Sequence, residues 1–176
     1  GGSEFIELFN TADEAVPLHD PLQPAMTWRI EDDTAVMCVI PPGMTIGPKQ
    51  YMVLVGQDVS TAAFAAAHNV PGTALVFGPC TRNLGNGGDA VRVFRPQDSS
   101  YALVEEVYFD DEPPWPTLPD GNGPSLQRID FSAPVTDATN WTSGPMHGTP
   151  GRAVPEPALA GAAALGALLL RRRPSV

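Results

Sequence analysis

The chain alternates short apolar runs with turn-forming clusters, and the runs follow a period of two more often than one near 3.6. Glu4 to Asn10 (EFIELFN) sets Phe5, Glu7 and Phe9 on one side and Ile6 and Leu8 on the other, then stops at Asn10-Thr11-Ala12-Asp13, which predicts a strand. The same reading predicts strands over Thr27 to Glu31, Ala35 to Ile40, Gln50 to Gly56, Ala74 to Phe77, Ala90 to Arg95, Tyr101 to Phe109 and Ser125 to Asp130. Pro17 to Met26 carries three prolines and no periodicity, so it predicts an irregular loop. Ser60 to Asn69 (STAAFAAAHN) predicts the one helix of this region: Ser60 or Thr61 can cap it, alanines favour it, and Pro71-Gly72 halts it.

Eight short strands separated by turns predict an all-β domain, a β-sandwich in which each alternating face is buried by a second sheet, with a barrel as the alternative. At 176 residues, with 20 Pro and 17 Gly spread between the runs, the chain has room for one such domain. Charge narrows the partners. Residues 1–153 hold seven Lys and Arg against nineteen Asp and Glu, a surface that repels phosphate backbones and excludes nucleic acid as a partner.

The order and spacing of several segments resemble the lamin tail domain, an immunoglobulin-like β-sandwich, over residues 4–151. The segments are Glu7-Leu8-Phe9-Asn10, Val16 and Leu18 before Trp28, Pro41-Pro42-Gly43 before Tyr51-Met52-Val53-Leu54, and Leu84 to Asp89 before a strand. Asp120 to Leu126, Asn140-Trp141 and Gly148-Thr149-Pro150-Gly151 complete the series. The family's pattern opens with one more strand than is present here. The resemblance therefore implies that the Glu4 to Asn10 strand lies at an open edge of this chain. Separately, the start at Gly1, with no initiator Met and no signal peptide, leads us to expect the C-terminal part of a longer precursor. The resemblance also places His19 to Thr27 as an extra surface loop, since the family's Trp follows its turn directly.

Residues 152–176 form a second unit. Val154, Pro155, Glu156 and Pro157 precede the uninterrupted apolar run Ala158 to Leu170, which Arg171, Arg172 and Arg173 close. This is similar to the PEP-CTERM sorting signal of Gram-negative bacteria, and the resemblance implies an exosortase-type peptidase as partner and a membrane helix over the apolar run. Arginines at the end of such a helix favour the cytoplasmic side. Thirteen residues span about 20 Å of a hydrocarbon core of about 30 Å, which suits a transient, cleavable anchor. The implied route is export, a membrane-held intermediate, and release to the cell surface or an exopolysaccharide matrix, where the domain meets polysaccharide or other surface proteins.

Candidate chemistry is sparse. No nucleophile elbow, Walker loop or dinucleotide fingerprint occurs, and His19, His68 and His147 have no acidic, Ser or Cys partner at a telling spacing, so the domain is expected to be non-catalytic. An accessory role beside an upstream hydrolase or nuclease is the alternative. Asp110, Asp111, Glu112, Asp120 and Asn122 are hard oxygen ligands of the kind Ca²⁺ takes, which would make a calcium-dependent binding module. An EF-hand starting at Asp120 fails because its twelfth position is Phe131, and solvated turn carboxylates are the simpler reading. Otherwise no cofactor or firm metal site is expected. Cys38 and Cys80 either pair as a disulfide closing a loop of about forty residues, worth up to about 4 kcal/mol, or stay as two half-buried thiols. Trp115 and Trp141 are expected to lid the core, with stacking on glycans as the alternative.

Overall fold

The computed structural model describes residues 4–85, 87–119, 123–152 and 169–171. Its elements run β1 (Phe5–Phe9), β2 (Val16–Pro17), β3 (Arg29–Glu31), β4 (Val36–Val39), β5 (Thr45–Ile46), β6 (Tyr51–Val55) and α1 (Thr61–His68). There follow β7 (Leu75–Phe77), β8 (Asp89–Gln97), β9 (Ser100–Phe109), β10 (Pro124–Arg128), β11 (Trp141–Met146) and β12 (Leu169–Arg171). The described chain is thus all-β in class, with one α-helix and a single 3-10 turn at Ala138–Asn140. Every strand predicted from the pattern is present to within a few residues.

Two sheets share one apolar core. The larger has the order β11-β10-β12-β1-β6-β7 and the smaller β4-β3-β8-β9, while β2 and β5 form a separate ribbon. Ile6, Met52, Leu54, Leu126 and Trp141 from the larger sheet join Ile30, Cys38, Val91, Val93 and Val107 from the smaller in one buried cluster. The alternation of each strand decides this, because one face of every strand is apolar and only another apolar face can cover it. Trp115 is half-buried against the same cluster, its ring 6.0 Å from that of Trp141, so both tryptophans close the core as expected.

β1 is buried on both faces, and α1 is the reason. Ile6 faces the shared core, whereas Phe5 joins Val53, Val55 and Phe64 in a second cluster beneath the helix. Ser60 caps α1 by accepting a hydrogen bond from the Ala63 amide, and Asn69 ends it in the left-handed conformation at φ +49°. The alanine-rich helix has only one buried anchor, Phe64, which meets Phe5 edge-on at 5.5 Å. α1 also carries the chain across from β6 to β7, which pair in parallel.

Two expectations are corrected here. β1 is not an open edge: β6 pairs along one side of it and β12 along the other, with Phe5, Ile6 and Glu7 opposite Arg171, Leu170 and Leu169. The end of the Ala158 to Leu170 run, read as helix, therefore lies in a strand, and the rest of that run is outside the described residues. The physical reason is the neighbourhood. Residues 5–7 of β1 and 125–127 of β10 are almost fully buried, and backbone amides and carbonyls there require a partner strand. The pattern also missed β2, whose Pro17 opens the predicted loop, and β5, each only two residues long, and β11, whose Gly144 and Pro145 interrupt the alternation.

Candidate binding face and the buried Glu7

The outer face of the smaller sheet departs from the polar surface that a two-layer fold leads one to expect. Register sets Val39, Arg29, Phe94 and Leu103 in one row across β4, β3, β8 and β9. A second row holds Glu31, Arg92 and Glu106, with Tyr101 and Tyr108 on β9 at either side. Val39, Leu103 and Tyr108 are each at least half exposed, at 55%, 50% and 54%. Leu103 adjoins Phe94, and Arg29 separates the pair from Val39, so exposed apolar and aromatic groups share this one face.

The charged groups on this face are held in fixed poses. The Arg29 guanidinium sits 3.8 Å from the Tyr101 ring centre and 5.4 Å from that of Phe94, and its Nη2 pairs with Glu31 Oε1 at 2.7 Å. Arg92 donates from Nε to Glu106, from Nη2 to the Tyr108 hydroxyl, and from Nη1 to the Asp32 carbonyl at 2.9 Å. The bonds from Arg92 and Tyr108 hold the Glu106 carboxyl below its ordinary range. With two arginines against two glutamates the face is neutral on a chain whose formal charge is −10.

Beside it, Asp32 organises the turn from β3 to β4. Its Oδ1 accepts from the Thr34 amide (2.7 Å), the Thr34 hydroxyl (2.6 Å) and the Ala35 amide (2.6 Å), and Oδ2 accepts from Arg82 Nε at 2.6 Å. Burial pushes this carboxyl up, but the Thr34, Arg82 and Ala35 bonds outweigh it and bring it down to about 2. Arg82 follows Cys80, and Cys80 is bonded to Cys38 of β4 as a disulfide with Cα atoms 4.9 Å apart. The cysteine pairing that the sequence left open is therefore formed. It ties the smaller sheet to the segment that leaves β7 of the larger one, where the Cys80 amide also donates to the Val55 carbonyl.

Segment 148–152, packed over β1, is the other structured site. Glu7 of β1 is fully buried, and its Oε2 accepts from the Gly151 amide at 2.5 Å. Gly148, Thr149 and Arg152 bracket that contact: Gln127 Nε2 donates to Thr149 Oγ1 at 3.2 Å, and Arg152 donates to the carbonyls of His68 and Asn69 at the end of α1. The Gly148-Thr149-Pro150-Gly151 segment thus covers Glu7 and is held by Gln127.

The remaining sequence-predicted sites are dispersed. Asp110 and Glu112 are exposed and Asp111 is half-exposed; Asp110 Oδ1 accepts from the Glu112 amide at 3.1 Å, an ordinary turn contact. Asp120 and Asn122 lie outside the described residues, and among the described residues no group of three or more His, Cys, Asp or Glu is placed to hold a metal. Val154, Pro155, Glu156, Pro157, Arg172 and Arg173 also lie outside them, while Arg171 ends β12. No helix among the described residues is long and apolar enough to cross a membrane. Sequence reasoning missed the Arg29–Phe94–Tyr101 cluster, although the Arg92-Val93-Phe94 alternation opposite Leu103 to Glu106 carries its signal. It also missed Glu7, for which the only clue was an acid within an apolar strand. No family model matches this chain, and neither does a curated protein or a solved structure.

Proposed function

We propose that this is an exported, non-catalytic surface domain with a lamin-tail-like, immunoglobulin-like sandwich, carried to the cell surface by its C-terminal sorting tail. The observation that carries the reading is the Cys38–Cys80 disulfide within the shared core, since such bonds form and persist in oxidising compartments outside the cytosol. The tail sequence agrees with it: Val154 to Pro157, the apolar run Ala158 to Leu170 and the arginines 171–173 have the composition of a cleavable membrane signal. The role of the sandwich in this reading is adhesion within an extracellular matrix.

The outer face of the β4-β3-β8-β9 sheet is the adhesive surface, and its ligand is an exopolysaccharide chain. A four-stranded face suits a polymer better than a small molecule. Aromatic rings stack on sugar faces, and guanidinium and carboxylate groups already fixed by Tyr101, Tyr108, Glu31 and Glu106 meet hydroxyls with little ordering cost. The local neutrality also spares a sugar polymer the repulsion that the rest of an acidic chain would exert on anionic substituents.

Expression in a Gram-negative host with an exosortase, and in the same host lacking it, tests the sorting half. Intact mass ending near Pro155 to Pro157 and recovery outside the membrane are expected only in the first host, and an uncut chain in both overturns the reading. Affinity electrophoresis through gels containing that host's purified exopolysaccharide tests the face. Retardation should be lost in the Tyr101→Ala/Tyr108→Ala variant, and equal mobility of the two proteins removes the assignment.

A further inference from the structure

Glu7 is a buried acid with half of its hydrogen-bonding capacity unused. It lies at the centre of β1 on the side covered by α1, opposite Val53 of β6, and has no exposed surface. Oε2 accepts from the Gly151 amide, while Oε1 is buried without a hydrogen-bond partner. An ionised carboxylate in such a place is costly, because one proton donor replaces the full shell that water supplies. Burial accordingly pushes the group up to about 8, with the Gly151 amide acting in the other direction.

Gly151 is seated closely against segment 70–74. Its φ is +78°, and a Cβ there would lie 2.8 Å from Ala74 Cβ and 3.1 Å from both Pro71 and Val70. Gly148 is packed the same way against Phe5, whose ring would stand 3.0 Å from an added Cβ. Arg171 of β12 stands opposite Phe5, two positions along β1 from Glu7, and the titratable groups described on the other surrounding elements are committed elsewhere. His68 of α1 stacks on Phe64 at 4.3 Å and its Nδ1 is 3.1 Å from the His147 carbonyl. Arg152 points to the helix-end carbonyls, and Lys49 binds the Thr11 carbonyl and Asp13. The residues packed on Gly151 from segment 70–74 are apolar, as is Val53. Segment 148–152 supplies the amide that reaches Glu7, so lifting it would bring water to the carboxyl without dismantling β1.

We propose that Glu7 and Gly151 form a proton-dependent clasp that holds segment 148–152 on the larger sheet: a protonated Glu7 keeps Gly151 seated, and once the segment lifts, ionisation of Glu7 in water opposes its return. Glu7 is in this sense a positioning residue for whatever acts on Val154 to Pro157, and that consequence rests on the sorting reading. The clasp itself does not, since it is a property of residues 7 and 148–152.

Hydrogen exchange of the full chain, followed by mass spectrometry and corrected for intrinsic rates, tests it between pH 5 and 9. The peptide covering 148–152 should open more readily than β6, with an opening constant that rises about tenfold per pH unit up to pH 8 and then levels off. In Glu7→Gln the slope should vanish while β6 stays protected. The proposal falls if 148–152 opens no more readily than β6, or if the slope survives in Glu7→Gln. Should Glu7→Gln not fold, a carbon-detected titration of the wild-type Glu7 carboxyl decides. A raised midpoint accompanied by a shift of the Gly151 amide supports the clasp, and an ordinary midpoint or an unmoved amide overturns it. None of these readouts involves the peptidase, so failure of the sorting reading leaves the outcome distinct.

Discussion

Glu7 and Asp32 pull the pH dependence of stability in opposite directions. An acid raised from 4.5 to about 8 on folding binds more protons in the native state than in the unfolded one. Stability from Glu7 is therefore greatest below pH 4.5 and is lost as pH rises to 8, by an amount on the order of 5 kcal/mol. Asp32, lowered from 3.8 to about 2, contributes above pH 3.8 and loses its contribution as pH falls towards 2, about 2 kcal/mol in all. Urea unfolding should find maximal stability near pH 4 to 5, a Glu7→Gln variant whose stability no longer declines to pH 8, and an Asp32→Asn variant weakened at pH 6 but little changed at pH 2. Part of this was legible in the sequence. Asp followed by Asp-Thr-Ala is a turn in which the first side chain bonds the amides after it, whereas the pairing with Arg82, fifty residues on, was not. Glu7 was placed on the correct side of its strand by alternation alone. That the side is buried depends on α1, and nothing local to β1 says so.

At the scale of elements, the Cys38–Cys80 bond and the single anchor of α1 are the points where removal of few atoms should matter most. The disulfide spans 42 residues, for which chain entropy gives about 4 kcal/mol. Reduction, or the Cys38→Ala/Cys80→Ala pair, should lower unfolding free energy by about 3 to 4 kcal/mol in urea with little change in the far-ultraviolet spectrum; a loss below about 1 kcal/mol would mean that the two sheets are held by the core alone. Phe64 is entirely buried between Phe5 and His68, and Phe64→Ala should cost about 3 to 5 kcal/mol. The elements whose signals are local were the ones that sequence predicted: Ser60 as cap, Pro71-Gly72 as stop, and Val, Ile and Tyr runs between turn clusters. β11 escaped because Gly144 and Pro145 sit in a strand that β10 pairs on one side only, an edge where proline is tolerated. Which strands neighbour one another is a non-local matter, and no residue pattern along one strand encodes it.

For the molecule as a whole, β12 sets up a conflict between the sheet and the tail. Leu169–Arg171 fills the place between β1 and β10, where Ile6 and Leu126 both face Leu170 in register. A segment cannot hold that place and also enter a membrane as helix, and cutting near Pro155 to Pro157 would remove it. The mature domain in the proposed route would then present two nearly buried strand edges with unpaired amides and carbonyls, the arrangement that recruits another strand. A chain ended at Pro157 should lose exchange protection at residues 5–7 and 125–127 relative to the full chain, and should elute in gel filtration as larger species whose share grows with concentration. A peptide of residues 166–173, added in excess, should restore both the protection and the monomer. Unchanged protection in the shortened chain would mean that β12 does not seal the larger sheet, and the gap between β1 and β10 must then close without it.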